Sequence, residues 1–471
     1  MGTVVVAVTG AVIYWFGQWT LTVSIVFLCV INYFSTFSEF NHHNKAYGLD
    51  YTGEMPVYDY PSITKQLDST LIANDKANTI ERLNNWRSRF PADEPPKMVL
   101  YCVSGGGMKA MVWVMKVMQD CDHATDKALT PNSVLITGAS GGMIGAAYLR
   151  ELYLQKGSGG TIQPMDETYI DQLSQDLLNS MAFTIVSNDL FLPWLKFDYQ
   201  GQTYRKDRGY IFEQQLNENT QSLLDKPLSA YKAPEQAGIT PSILITPYIV
   251  NDGRQLLISP HGQSYMTTAP IGQSNPGTVE MDAVDFGHFF KDQNAQNLRY
   301  TSALRMSATY PYILPNVHMP STPSVEIMDA GLRDNYGIGS ATRFLQVFQD
   351  WILENTSGVV MIQITSLNKL EKIDQNDSKS LYSSLVNPLG VAGQILSLQD
   401  YELDKSIGFI YDIYGKENFD VVRFVYTPNK KNPRASVTFH LTKREKLDIL
   451  DAMKNDDNQA ALKKLKTLLS K

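Results

Sequence analysis

Two short apolar runs, each followed directly by glycines and then by a helical pattern, constrain the fold of this chain most strongly. Met98–Val103 precedes a glycine loop and the helical pattern of 108–119, and Ser133–Thr137 precedes a second glycine-containing turn and the helical pattern of 142–155. Apolar runs that alternate with helices in this way are typical of a mostly parallel sheet covered by helices on both faces. The sequence therefore predicts an α/β fold of three layers, α/β/α.

The second half of the chain adds further strands and a helical end. Ser242–Val250 and Arg254–Ser259 flank a short N-D-G turn and are predicted to form a hairpin, with Pro247 at an edge or a bulge. Thr442 and Glu445 have the spacing of a capping box, so we expect one helix to begin there and another to follow it. Other strands are predicted at Ser324–Met328, Val359–Ser366, Val421–Tyr426 and Ser436–His440.

The beginning of the chain is unusual because no charged residue precedes Glu39. Residues Thr3–Phe34 are almost wholly apolar or aromatic, and about 20 such residues are enough for a helix to cross a bilayer. A weak break at Gly17 predicts one full span near Trp19–Phe37 and a shorter apolar helix before it. We therefore expect residues 1–38 to anchor the chain in a membrane; the alternative is a helix buried in a soluble core.

The rest of the chain divides into a connector and one large domain. The connector, residues 39–96, contains a helical pattern over Ile63–Phe90 and ends in a proline-rich breaker. Residues 97–471 form the predicted α/β domain. Within it, residues 156–240 are an insertion that forms either a lid or acyl-chain channel, or an ordinary helical part of the core. The first positive charges follow the apolar segment, which favours the cytoplasmic side of a membrane for this domain.

Bulk composition excludes several classes of function. The formal net charge of −7 argues against a nucleic-acid-binding protein, which is usually basic. Cys29, Cys102 and Cys121 form no disulfide framework and are expected to be inert thiols. The chain has no H-E-x-x-H motif and no histidine or acidic cluster with metal spacing, so neither a metal nor a cofactor is predicted. The sequence carries no signal for an oligomeric state.

The turn Gly138-Ala139-Ser140-Gly141-Gly142 has the pattern G-x-S-x-G. A sharp turn between a strand and a helix holds such a serine in a strained backbone conformation and exposes its hydroxyl. The helix that follows directs its positive end at the same place, which favours developing negative charge. Ser140 is therefore the predicted nucleophile of a hydrolase.

A glycine loop, Gly105-Gly106-Gly107, follows the other strand. Main chain without side chains can approach a substrate closely, and each backbone amide aimed at an oxyanion typically contributes about 3–4 kcal/mol. The loop could instead bind a phosphate, but it lacks the G-K-[S/T] and G-x-G-x-x-G patterns. We expect these glycines to form an oxyanion hole, and Lys109 to anchor the loop or to contact an anionic headgroup.

The third motif, Asp329-Ala330-Gly331, follows the predicted strand Ser324–Met328. A carboxylate that lies within hydrogen-bond reach of a serine and is partly desolvated becomes a better base, because its pKa rises. Asp329 is therefore the candidate base for Ser140. Among the seven histidines, only His440 follows the order serine, acid, histidine, and it is expected to be an ordinary strand residue.

These motifs resemble those of the patatin-like phospholipases and of the related catalytic domain of the cytosolic phospholipases A. The resemblance covers about residues 97–345 and consists of SGGGMKAM, GASGG and DAGLRDNYGI in that order, with a fourth similar segment at Ala303–Pro311. The chain departs from the patatin pattern at Ser104, where aspartate is usual, and at Ala330, where glycine is usual. The departures remove no chemical group, but they blur the subfamily.

The resemblance implies a Ser140–Asp329 dyad without histidine or metal, an oxyanion hole at the glycine loop, and cleavage of acyl esters of lipids. The expected function is a membrane-associated lipid acyl hydrolase of the phospholipase A or lysophospholipase type, whose partners are the bilayer and its lipids. The alternatives are a scaffold or lipid-binding protein with little turnover, an acyltransferase that uses the same acyl-enzyme, and a nucleotide-binding α/β protein.

Overall fold

The computed structural model describes residues 2–34, 43–159, 161–189, 194–269, 280–310, 313–366, 401–428 and 437–470. Residues 35–38 of the predicted membrane segment, Pro311 and Ser436 lie outside this part of the chain. The strands are β1 (Asn44–Lys45), β2 (Met98–Val103), β3 (Ser133–Gly138), β4 (Lys196–Tyr199), β5 (Gln202–Arg205), β6 (Ser242–Ile245), β7 (Tyr248–Ile249), β8 (Gln255–Leu257), β9 (Ala283–Asp285), β10 (Val317–His318), β11 (Glu326–Met328), β12 (Val359–Thr365) and β13 (Phe419–Val425).

Helices make up most of the remaining regular structure. They are α1 (Gly2–Phe16), α2 (Thr20–Phe34), α3 (Tyr60–Ile63), α4 (Ser69–Arg87), α5 (Gly107–Ala124), α6 (Leu129–Asn132), α7 (Ser140–Gly157), α8 (Thr168–Leu173), α9 (Leu178–Thr184), α10 (Arg208–Asn219), α11 (Lys232–Gln236), α12 (Phe286–Phe289), α13 (Tyr300–Ser307), α14 (Ile338–Val347), α15 (Gln349–Asn355), α16 (401–414), α17 (Lys443–Asp451) and α18 (Asp456–Leu469). Thr442 and Glu445 form the predicted capping box at the start of α17.

A five-stranded sheet lies at the centre of the fold, in the order β13-β12-β2-β3-β6. All its neighbouring strands run parallel, as the alternating pattern predicts. Parallel neighbours present their carboxyl ends at one edge of a sheet. The glycine loop after β2 and the serine turn after β3 therefore lie side by side.

Both faces of this sheet are buried. Side chains of β2 alternate between two apolar clusters: Val99, Tyr101 and Val103 belong to one, and Met98, Leu100 and Cys102 belong to the other. Helices α5 and α7 contribute to the first cluster, and α14, α15 and α16 contribute to the second. Such strands read as continuous apolar runs because neither face meets water.

The predicted hairpin is wrong in one respect, since its first arm is two strands. Residues of β6 continue the parallel sheet, whereas β7 belongs to a second, six-stranded sheet in the order β1-β10-β11-β7-β8-β9. Pro247 lies between them and has no amide to donate to a ladder, so the strand bends there and changes sheets. The turn is as predicted: Tyr248 pairs antiparallel with Gln255 across residues 251–253.

Helices α5 and α7 pack backbone against backbone. A Cβ atom on Gly142 would overlap the carbonyl oxygen of Ser104, and one on Gly145 would overlap the carbonyl oxygen of Met111. Only glycine allows two helices to approach this closely. The first turns of the two helices, and the loops that precede them, are thereby brought together.

The apolar beginning of the chain is helical, with a 3-10 turn at Gly17–Trp19 where the break was predicted. A helical window over Thr9–Val30 is long and apolar enough to cross a membrane, and none of it is buried in the protein. This window begins ten residues before the predicted span of Trp19–Phe37, because the 3-10 turn at Gly17–Trp19 does not interrupt the run of helical residues. Length and composition alone make this a weak indication of a membrane span.

The insertion at 156–240 combines two kinds of environment. Phe212, Leu216 and Tyr231 are buried in the same cluster as α5 and α7, so this part belongs to the core. Phe183 and Trp194 are exposed. A further correction concerns the predicted strand at 436–440: its described residues, 437–440, form bends, and their backbone contacts the start of α5 rather than a sheet.

We expect Gly145→Ala to destabilise the protein by about 2–3 kcal/mol, because its methyl group overpacks the α5–α7 contact. Gly157→Ala is the matched control at the end of the same helix, where no atom lies within 4 Å of an added Cβ. Chemical denaturation of the two variants measures the difference. Equal unfolding free energies for both would contradict the close backbone contact.

Candidate active site

Ser140 begins α7 directly after β3, and its φ of 51° is in the left-handed region. A residue other than glycine rarely adopts this backbone conformation, because it costs about 1–2 kcal/mol. Strain of this kind is typical of a nucleophile held on a sharp strand–turn–helix connection. The backbone amide of Ser140 donates to Ser307 Oγ (3.2 Å), at the end of α13.

The glycine loop is fastened on both sides. Ser366, which follows β12, donates from its amide to Ser104 Oγ (2.8 Å) and from its hydroxyl to the Gly105 carbonyl (2.5 Å). On the other side, the Met108 amide donates to the carbonyl of Thr438 (2.8 Å). The loop is thus fixed before any ligand arrives, which is the condition for electrostatic preorganisation.

The predicted oxyanion donors differ in their availability. The amide of Gly105 donates to Asn335, at Oδ1 (3.1 Å) and at the carbonyl (3.2 Å). The amides of Gly106 and Gly107 make no hydrogen bond within the described part of the chain, and the same holds for Gly141, which follows Ser140. These three amides, at the positive ends of α5 and α7, are the better placed donors for an anionic oxygen.

Asp329 follows β11 and so reaches the site from the six-stranded sheet rather than from an edge of the parallel one. Its amide donates to the Thr309 carbonyl (3.1 Å), just beyond α13. Burial raises the pKa of its carboxyl group to about 6, although hydrogen bonds from the Gly331 amide and the Ser140 side chain oppose the shift. A buried carboxylate next to a serine hydroxyl can act as its base.

Asn335 is a site residue that the motif analysis did not single out. A Cβ atom on Gly105 would lie 2.8 Å from Asn335 Oδ1 and 3.1 Å from Ser140 Cβ, and one on Gly331 would lie 3.1 Å from the same Oδ1. The amide side chain therefore lies between the glycine loop and the aspartate turn. The signal that could have identified Asn335 in the sequence is its position six residues after Asp329, within the same motif.

Lys109 does not reach the surface, since its side chain is fully buried. Its ammonium group lies 5.8 Å from the centre of the Tyr426 ring, within range of a cation–π interaction. The predicted role of Lys109 in anchoring the loop stays a prediction. This burial gives a headgroup in solvent no direct access to the lysine.

Four of the described histidines lie next to groups other than Ser140. His440 Nδ1 lies 3.0 Å from Asp176, and His261 lies 3.6 Å from Glu235. The rings of His43 and His318 contact each other, with centroids 4.1 Å apart. Within the described residues, Asp329 is thus the titratable group that hydrogen-bonds to the serine side chain.

Folding also gathers a cluster that the sequence spacing does not predict. Asp75, Asp285 and His288 have ligand-type atoms within 4.8 Å of one another. These atoms already bond within the protein: Asp75 accepts from Ser264 and His288, and Asp285 accepts from the His288 amide. The cluster therefore ties helix α4 of the connector to the large domain.

Comparison with solved structures finds the human GIVD cytosolic phospholipase A2 at a TM-score of 0.40 and 10% identity, covering 84% of this chain and 67% of that chain. The same enzyme in complex with methyl gamma-linolenyl fluorophosphonate matches at 0.37 and 14%, with 84% and 64% covered. VipD from Legionella pneumophila matches at 0.30 and 10%, with 80% and 67% covered. No protein-family profile and no curated protein matches the chain. At these scores the likeness assigns neither a family nor an activity.

Relief of the strain at Ser140 is measurable. We expect the free energy of unfolding of Ser140→Gly to be about 1 kcal/mol higher than that of Ser140→Ala. Glycine adopts a φ of 51° without steric cost, whereas alanine does not. Both variants lack the hydroxyl, so denaturant titration of the pair isolates the backbone term. Equal stabilities would mean that the turn relaxes when the serine is replaced.

The buried carboxyl of Asp329 predicts a stability gain on neutralisation. Its pKa rises from 3.8 to about 6 on folding, so the folded state loses stability as the pH rises through that interval. Asp329→Asn should therefore be more stable than the parent at pH 8, by up to about 3 kcal/mol, and similar to it at pH 4. The control is Asp292→Asn, at an exposed position. A pH-independent difference would contradict the assignment.

Proposed function

We propose that this chain is a membrane-associated serine lipid acyl hydrolase, of the phospholipase A or lysophospholipase type, with a patatin-like three-layer α/β/α fold. The observation that carries the proposal is the contact of a strained serine, Ser140, with a buried carboxyl group, Asp329, beside a fixed glycine loop. Nucleophile, base and preorganised amides are the parts that acyl transfer requires.

In the proposed mechanism, Ser140 Oγ attacks the ester carbonyl carbon while Asp329 takes the hydroxyl proton. The tetrahedral oxyanion then collapses, and the leaving lysolipid or alcohol receives that proton from Asp329. Water attacks the acyl-serine, again with Asp329 as base, and the fatty acid leaves as the proton returns to Ser140 Oγ. The same acyl-enzyme could pass to another alcohol, which would give transacylation.

The oxyanion needs at least two donors at the point where its charge develops. Gly106 and Gly107 supply amides from the loop, and Gly141 supplies one from the first turn of α7. Gly105 can join them only if a substrate displaces Asn335 from its amide. We assign Asn335 a positioning role, since it holds the loop and the aspartate turn in register in the absence of substrate.

Lipid as the substrate class is supported by the ordered motifs and by the apolar helix at the start of the chain. Four segments follow the patatin-like order, and Thr9–Val30 could hold the enzyme at the membrane that contains its substrate. The positive charges that follow this helix favour the cytoplasmic side for the domain. No metal or cofactor takes part in the proposed chemistry.

Product analysis tests the proposal on the full chain reconstituted with mixed phospholipids. We expect fatty-acid release to fall by about 10³-fold or more in Ser140→Ala and by about 10²–10⁴-fold in Asp329→Asn, because each loses a group that forms or breaks a bond. Parent activity should also fall below about pH 6, where Asp329 becomes protonated. Release is measured by mass spectrometry.

Covalent labelling gives the control. A fluorophosphonate probe should modify the parent and the exposed-site variants Ser88→Ala and Asp292→Asn, and should leave Ser140→Ala unmodified. Circular dichroism checks that all variants are folded. Undiminished labelling or fatty-acid release in Ser140→Ala would refute the proposed nucleophile.

A further inference from the structure

Three large apolar side chains between positions 183 and 195 of the insertion are exposed: Phe183 by 72%, Trp194 by 64% and Leu195 by 37%. We call them the aromatic patch. Hydrogen bonds hold its backbone in place, because Lys206 donates to the Leu195 carbonyl (2.8 Å) and Asn188 donates to the Lys206 carbonyl (2.8 Å). Exposed apolar side chains on an ordered backbone indicate a contact surface.

The chain segment that contains Trp194 and Leu195 is rich in positive charge. Residues 194–208 contain Lys196, Arg205, Lys206 and Arg208 against two aspartates, whereas the whole chain has a net charge of −7. Lys45 lies near Arg205, since burial and then the charge of that arginine lower the pKa of the lysine. Arg208 is paired with Asp189 (2.6 Å). The remaining cations are called the basic rim: Lys45, Lys196, Arg205 and Lys206.

The apolar N-terminal helix is tethered close to the same place. Asn44 begins β1, and its side chain bonds to Asp207, which directly precedes α10. Tyr47 packs edge-to-face on Phe197 and Tyr204 of the β4–β5 hairpin, with ring centroids 5.0 Å apart in both pairs. Described residues that follow the helix in the chain therefore pack on the hairpin that continues from Trp194.

Chain length limits how far the hairpin can lie from the helix. Residues 35–43 join Phe34 to Asn44 and can span at most about 36 Å when fully extended. A globular domain of this size is about 55 Å across. If the helix crosses a bilayer, the tether keeps the β4–β5 side of the domain nearer to that bilayer than the opposite side.

We propose that the aromatic patch and its basic rim form a second contact with the bilayer, in which Trp194 lies at the interface and the cations face anionic headgroups. The proposal rests on the membrane attachment argued above. Tryptophan is favoured at the boundary between hydrocarbon and headgroups, and lysine and arginine are attracted to anionic lipid.

The insertion that carries the aromatic patch also lies close to the candidate active site. Phe439 packs on Phe212 of α10 (5.2 Å), and its carbonyl accepts from the Leu177 amide (3.1 Å). The adjacent Thr438 accepts from Met108 in the first turn of α5. Helix α10 and Leu177 of the insertion are therefore linked through residues 438–439 to the start of α5, next to the glycine loop.

Quenching of tryptophan fluorescence tests the proposal in the full chain. The chain is reconstituted in vesicles of phosphatidylcholine and phosphatidylserine, with and without lipid brominated near the carbonyl end of the acyl chain. The signal of Trp194 is the difference between the parent and Trp194→Phe. Trp351→Phe is the matched control, because Trp351 bonds to Asn84 of α4 (2.9 Å), outside the aromatic patch.

We expect brominated lipid to quench the Trp194 signal at least twofold and to leave the Trp351 signal unchanged. Without phosphatidylserine, the quenching should weaken, because the basic rim loses its partner. Absence of quenching at Trp194, or equal quenching at Trp351, would overturn the proposal.

The measurement distinguishes three failures. It needs no turnover, so Ser140→Ala should give the same quenching, and loss of the hydrolase assignment would leave the result intact. Trp19, at the middle of the Thr9–Val30 window, reports separately on the N-terminal helix in vesicles of lipid brominated near the methyl end of the acyl chain. If the Trp19→Phe difference signal is unquenched there, the membrane attachment itself fails. Quenching at Trp19 without quenching at Trp194 would overturn the aromatic patch alone.

Discussion

The α5–α7 contact decides where the serine turn and the glycine loop of the candidate site lie. Helices usually pack through side chains at 8–10 Å, but here glycines at 141, 142 and 145 of α7 meet carbonyl oxygens of the α5 segment directly. The first turns of both helices therefore converge, and their unpaired amides and positive ends point to the same small volume. A site that must stabilise an oxyanion needs that convergence, and ordinary packing would prevent it.

The candidate site lowers the stability of the fold at the two residues to which the proposed mechanism assigns chemistry. Ser140 retains a left-handed backbone, and Asp329 retains a buried carboxyl group whose pKa lies near 6. Helix α13 and the residues just after it hold both groups in place. The Ser140 amide donates to Ser307, and the Asp329 amide donates to the carbonyl of Thr309. Helix α13 is anchored in turn by the buried Arg305–Glu213 pair (2.7 Å). The polar core of the domain thus supports the strained geometry.

The parts of the fold that the sequence predicts well are those set by local chemistry. Strands β2, β3 and β12 read as apolar runs because both of their faces are buried. The capping box of α17 lies within four residues. The hairpin prediction was wrong at Pro247, where the chain passes from one sheet to the other. Whether a strand bends in this way depends on which neighbouring strands it pairs with. The bends at 437–439 were mistaken for a strand, since the same alternating pattern occurs where Phe439 packs on Phe212 of α10 and Val437 is exposed.

For the candidate site, the sequence by itself determined which groups are present: a serine in a glycine-flanked turn, a glycine loop and an aspartate, each at the end of an apolar run. Only the tertiary structure decided that Asp329 reaches Ser140 from the other sheet, that Asn335 occupies the Gly105 amide, and that Lys109 is buried against Tyr426. Local sequence specifies turns and helix starts because neighbours in the chain form them. Contacts between residues almost two hundred positions apart depend on how two sheets and the helices between them pack.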